Sequence, residues 1–180
     1  MAAKPLDAFL DPAYTEHLQS LTLEDLRARR SECHEAEVKL SYLRRLVQGR
    51  LDIALSELHR REVHGAPVDA AALVEQLPEI LSDRVHAPGT GRLPVLMAPG
   101  DVDEELLARV DGIVSAERLV TLGELDDAGV RQIIDDLEFY EHALSSQRRN
   151  LHGVIDQLQE EIVRRYKTGE ATVDSLLRPT

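Results

Sequence analysis

Residues 33–58 read CHEAEVKLSYLRRLVQGRLDIALSEL, and residues 137–162 read LEFYEHALSSQRRNLHGVIDQLQEEI. In the first stretch Cys33, Ala36, Leu40, Leu43, Val47, Leu51, Ala54 and Leu58 recur in steps of three and four. That spacing draws one narrow apolar seam along a helix and is the spacing of coiled coils. In the second stretch Leu137, Tyr140, Leu144, Gln147, Leu151, Ile155, Leu158 and Ile162 repeat the same steps 104 positions later. Two consecutive steps of four in each copy act as a stutter that locally unwinds a supercoil. The correspondence extends beyond the seam: Arg44-Arg45 falls on Arg148-Arg149, Gly49 on Gly153, and Arg60-Arg61 on Arg164-Arg165. Internal repetition of this kind decides the architecture before any other signal.

Working outward, the first periodic segment opens at Thr22, which with Asp25 forms a variant capping box. It continues without Pro to about Val63, where Gly65 and Pro67 stop it. The second runs from about Asp126 to Lys167, with Gly169 beyond its end. Short helices are expected from Asp69 to about Leu81, interrupted near Pro78, and from Asp101 to about Val114. Between them His86 to Gly100 holds Pro88, Gly89, Gly91, Pro94 and Pro99, which cannot continue a helix. The expected fold is all-α: two long helices in an antiparallel coiled coil with short connecting helices. Its divisions are an extended or mobile segment 1–21, a first long helix 22–63, a connector 64–121, a second long helix 122–169 and a tail 170–180.

Composition agrees with narrow aliphatic seams. Aromatic residues make up 3% of the 180 and Trp is absent, which disfavours a β-sandwich or barrel. A net charge of -12 opposes direct binding to a nucleic-acid backbone, which relies on Lys and Arg releasing counterions. An anionic small ligand then has to be held by locally gathered Arg. Cys33 is the only cysteine, so no intramolecular disulfide forms and a reducing, cytoplasmic setting is expected. Residues 1–14 lack a basic leader and an apolar core, and no stretch reaches membrane-spanning length. A soluble protein, monomeric before it meets a partner, is the expectation.

Beside the first seam sit Glu37, Ser41, Arg44, Gln48 and Asp52. Steps of four, three, four and four keep all five within about 80° of helix surface. The second copy places Glu141, Ser145, Arg148, His152 and Asp156 at the same offsets. One such stripe is ordinarily a solvated flank with weak ion pairs. A solvated flank has no reason to keep Ser and Asp in register with Arg twice. Arg presents a planar fork to a phosphate or to guanine O6 and N7, and stacks on purines. Asp accepts from the guanine N1–H and N2–H2 edge, while Ser, Gln and His reach phosphate or ribose. Glu has two open roles, accepting from a guanine edge or orienting a neighbouring Arg. In an antiparallel pair the two stripes are expected to share a pseudo-twofold axis near Arg44 and Arg148, matching a twofold-symmetric ligand such as cyclic di-GMP.

At these residues the chain resembles the RsiG family of anti-sigma factors, whose signature is Glu, three residues, Ser, two, Arg, three, Gln, three, Asp. Glu37, Ser41, Arg44, Gln48 and Asp52 match it throughout, and the second copy departs only at His152. There an imidazole, which can change its charge near neutral pH, stands in place of an amide. The resemblance covers about half the chain. It implies a coiled coil that holds two molecules of cyclic di-GMP per chain and, when loaded, sequesters a WhiG-type sigma factor, blocking its developmental genes. The alternative is a structural or adaptor coiled coil without a small ligand.

Other signals are weaker. Glu-x-x-His is absent from the sequence, and His59, Glu62 and His64 share a helix end that Gly65 terminates, a poor start for a zinc site. Gly89-Thr90-Gly91 lacks the strand of a phosphate loop. No Ser, Cys or Lys is set with a base and an orienting acid, so catalysis is not expected. Among Tyr14, Tyr42, Tyr140 and Tyr166, a guanine-stacking role is open, with Tyr140 more simply core.

Overall fold

The computed structural model describes residues 6–64, 74–75, 77–78 and 104–170. Among them all regular structure is helical: α1 (Leu6–Leu10), α2 (Leu23–His64), α3 (Glu104–Ile113), α4 (Ala116–Val120) and α5 (Asp127–Thr168), with 3-10 turns at Pro12–Tyr14, Leu18–Ser20 and Leu122–Glu124. The long helices α2 and α5 have 42 residues each, about 63 Å at 1.5 Å per residue. No described helix is long and apolar enough to cross a membrane. The short helix expected from Asp69 and the loop 86–100 with Gly89-Thr90-Gly91 lie outside the described residues, four helical positions between 74 and 78 excepted. So does the tail from 171.

The chain divides into two compact units, one of Met1–Leu40 with Ser146–Thr180, the other Ser41–Ser145. Each joins the first part of one sequence repeat to the second part of the other. In the first unit α2 opens on the capping box: Thr22 Oγ1 accepts from the Asp25 amide at 3.1 Å, and the Thr22 amide donates to Asp25 Oδ2 at 3.3 Å. Two donors that the first turn leaves without helical partners are thereby satisfied. Arg27 bonds Tyr166 and Arg30 bonds Gln159, so α2 and α5 run antiparallel there. Leu26, Cys33, Leu40, Leu151, Ile155, Leu158 and Ile162 are buried. In the second unit Arg61 donates to Asp127 and Arg44 to Glu141, again antiparallel. Leu43, Val47, Leu51 and Ala54 are buried, as are Val110, Val114, Val130, Leu137 and Leu144. Removing such side chains from water contributes roughly 1.5–3 kcal/mol each.

Three details depart from the sequence expectation. Of the segment 1–21, the described residues 6–21 are folded, not extended. Asp11 caps the turn at Pro12–Tyr14, Phe9 is buried and meets Tyr14 edge-on at 5.5 Å, and the Arg29 guanidinium lies over the Tyr14 ring at 5.0 Å. A few aromatic contacts to α2 hold a stretch that has no periodicity of its own. Residues 122–126 precede the second long helix as a 3-10 turn and its exit. In the seam, Ala36, Leu58, Tyr140 and Gln147 are half-buried, and Glu57 takes a buried place next to Leu58. A carboxylate tolerates that place only when charge-paired and hydrogen-bonded.

The pairing comes from Arg60 and Arg61. Arg60 Nε and Nη2 donate to Glu57 at 2.9 and 2.8 Å, and Arg61 Nε donates to the same carboxylate at 2.7 Å. Arg61 then reaches the Leu122 and Leu125 carbonyls, both at 2.8 Å, fastening the turn that leads into α5. The first unit repeats this clasp 104 positions on. Arg164 and Arg165 hold Glu161, and Arg165 Nη2 donates to the Leu18 and Gln19 carbonyls at 3.0 and 3.2 Å, fastening the turn that leads into α2. Burial raises the Glu57 carboxyl, but bonds from Arg60 and Arg61 outweigh it and hold the group below the usual range.

Candidate functional site

The stripes sit on the flanks of the buried seams, and all of their residues except the exposed Asp156 are half-buried. In the second unit the structure gathers four of the ten stripe residues on one carboxylate oxygen. Glu141 Oε1 accepts from Ser145 Oγ at 2.9 Å, one turn on in α5, and across from α2 it accepts from Gln48 Nε2 at 3.1 Å and Arg44 Nη1 at 3.2 Å. Burial raises the Glu141 carboxyl; bonds from Ser145 and Arg44 outweigh it and lower the group. Arg44 Nε is buried and makes no hydrogen bond among the described residues. Ser41 and Asp52 are half-buried on the same face of α2.

In the first unit the same arrangement is built with the helices exchanged. Glu37 Oε1, on α2, receives Arg148 Nε at 2.8 Å and lies 3.4 Å from His152 Nε2, both on α5. The Arg148 and His152 side chains are 35% and 41% exposed against 13% for Glu37, so the guanidinium and the imidazole face outward and the carboxylate lies beneath them. Asp156 is exposed and makes no hydrogen bond or ion pair with any described residue. Each unit thus pairs the Glu of one repeat with the Arg and the Gln or His of the other.

In this pairing each Glu holds an arginine, one of the two roles left open for it. The arginine concerned lies on the opposite helix, not one or two turns away on the same one. A guanidinium fixed at one edge by a carboxylate retains a face for stacking and further N–H groups for an anion. The sequence did not show that the two repeats exchange partners, because spacing defines a face but not the register between helices. Nor did it single out Glu57 and Glu161, although their agreement at the repeat distance was readable beside Arg60-Arg61 and Arg164-Arg165. Among the described residues no group of three His, Cys, Asp or Glu is placed to hold a metal ion. An open groove of about 770 Å3 is lined by Thr15, His17, Gln157, Glu160 and Arg164 among others, beside the clasp of the first unit and apart from its stripe residues.

The model of a family described as RsiG-like matches residues 12–81 and 106–179. Each matched stretch contains one long helix, one stripe and one clasp. No curated protein matches the chain.

Proposed function

The chain belongs to the RsiG-like family, which gives it an anti-sigma role at the family level, and from that premise we propose that it is an anti-sigma factor armed by cyclic di-GMP. The observation that carries this reading is the cluster built twice, Arg44 and Gln48 on Glu141, and Arg148 and His152 on Glu37. Each cluster is a half-exposed guanidinium with a polar neighbour, and the two together match two nucleotides per chain. The Arg forks take phosphate or the guanine Hoogsteen edge. Asp52 and Asp156 accept from the guanine N1–H and N2–H2 edge, and Ser41, Ser145, Gln48 and His152 complete contacts to phosphate or ribose. No catalytic step is assigned. The loaded protein sequesters a WhiG-type sigma factor and blocks transcription, and falling nucleotide releases it.

The ligand-independent adaptor remains the rival because each arginine already has a carboxylate partner, and such pairs occur on the flanks of purely structural coils. Calorimetry with cyclic di-GMP separates the two. The sensor takes up two nucleotides per chain without consuming them, and Arg44→Ala with Arg148→Ala lowers the affinity at least a hundredfold. A wild-type chain that takes up none is an adaptor. Pull-down of a WhiG-type sigma factor with and without nucleotide completes the test, and equal capture in both conditions overturns the dependence.

A further inference from the structure

Phe139 is 78% exposed on α5, in a chain with two Phe and no Trp. Its neighbours one turn away on the helix surface are Asp135, Asp136, His142 and Ala143, all exposed, with Glu138 exposed at its side. Helices ordinarily balance such carboxylates with Lys or Arg three or four residues away. Here Asp135 has Arg131 four residues before it, but no Lys or Arg stands between Arg131 and Arg148, so Asp136 and Glu138, beside the exposed ring, have none at that spacing. Phe139 precedes Glu141 by two residues, about 200° around the helix, and so points away from the stripe.

The sequence repeat sharpens the anomaly. The positions equivalent to Asp135, Asp136, Glu138 and Phe139 in the first copy are Ser31, Glu32, His34 and Glu35. The aromatic therefore occurs in one copy only, and of the three carboxylates around it only Asp136 has an acidic counterpart, Glu32. A duplicated scaffold that engages one copy of an asymmetric partner needs a face that breaks the duplication, and this is such a face.

We infer that Phe139 is the anchor of the sigma-docking surface, inserting into an apolar recess of a basic, DNA-contacting face of the sigma factor while Asp135, Asp136 and Glu138 meet its Lys and Arg. The inference rests on the family-level sigma partner. A DNA-contacting face is cationic because phosphate binding depends on Lys and Arg. Aromatic anchors ringed by weaker contacts carry most of the affinity of an interface, and complementary charge speeds encounter. Occupying that face also explains inhibition, since DNA and Phe139 compete for it.

The test measures binding of a purified WhiG-type sigma factor to the full chain at saturating cyclic di-GMP, with association and dissociation rates resolved. Phe139→Ala weakens binding more than tenfold, mainly through faster dissociation, while Phe139→Leu keeps most of the affinity. Asp135→Lys with Asp136→Lys slows association and flattens its salt dependence. All variants keep the wild-type melting curve and nucleotide affinity, because the substituted side chains are exposed and turned from the stripe. Wild-type affinity in Phe139→Ala overturns the inference, as does sedimentation showing that the ring holds two copies of this chain together while sigma affinity is unchanged. A wild-type chain that binds no sigma factor overturns the proposed function as well, whereas sigma binding independent of nucleotide but lost in Phe139→Ala removes only the nucleotide requirement.

Discussion

Glu161 shows what a buried carboxylate does when two arginines close on it. Its carboxyl is lowered to about 2, first by the hydrogen bond from Arg164, with Arg165 adding to it and burial opposing. A carboxylate whose folded value lies below its unfolded one stabilises the fold above the unfolded value, about 4.3. That contribution is lost as pH falls through the folded value. Glu161→Gln keeps the shape and removes the charge. The variant is expected to melt below wild type at pH 7, with the gap closing between about pH 5 and pH 2. Thermal melts followed by circular dichroism across that range check it; a gap independent of pH places the loss in packing and not in charge. Glu57, lowered against burial by Arg60 and Arg61, is expected to show the same sign.

At the scale of the element, α2 and α5 are each held at their start by something outside the helix. The Thr22–Asp25 box caps α2, while Arg165 grips the Leu18 and Gln19 carbonyls just before it. Thr22→Ala is expected to lower unfolding free energy by about 1 kcal/mol, the ordinary worth of such a cap, measured by urea denaturation. Arg165→Ala leaves Glu161 buried with one cation fewer and two carbonyls without their donor, so a larger loss of about 3 kcal/mol is expected, with earlier amide exchange in 18–26. The periodicity of the long helices, the Thr22–Asp25 cap and most of the seam were readable, because each depends on residues within a turn or two. The folding of 6–20 was not: Tyr14 finds its place against Arg29 of α2, with Phe9 packed on Tyr14, and nothing local announces the contact to α2. The clasps lay between these cases. Their arginines stood out in the repeat, but which carbonyls they would grip depends on the packing of distant segments.

At the scale of the molecule, the repeat supplies two chemically matched clusters, and its copies differ at His152 against Gln48 in the clusters and at Phe139 against Glu35 on the outer surface. If nucleotide arms the inhibitor, nucleotide and sigma factor are linked through a single coupling free energy. Whatever factor two bound cyclic di-GMP molecules add to sigma affinity, saturating sigma factor adds to the product of the two nucleotide binding constants. Couplings of this kind usually fall between about 5-fold and 150-fold. Between titrations of cyclic di-GMP into the chain alone and into its sigma complex, the product of the two nucleotide binding constants is expected to change by the same factor as sigma affinity does with and without nucleotide. With Arg44→Ala and Arg148→Ala both titrations are expected to lose their dependence together. Equal nucleotide affinity in chain and complex, beside a sigma affinity that nucleotide does raise, violates that identity and requires a second nucleotide-binding protein in the assay.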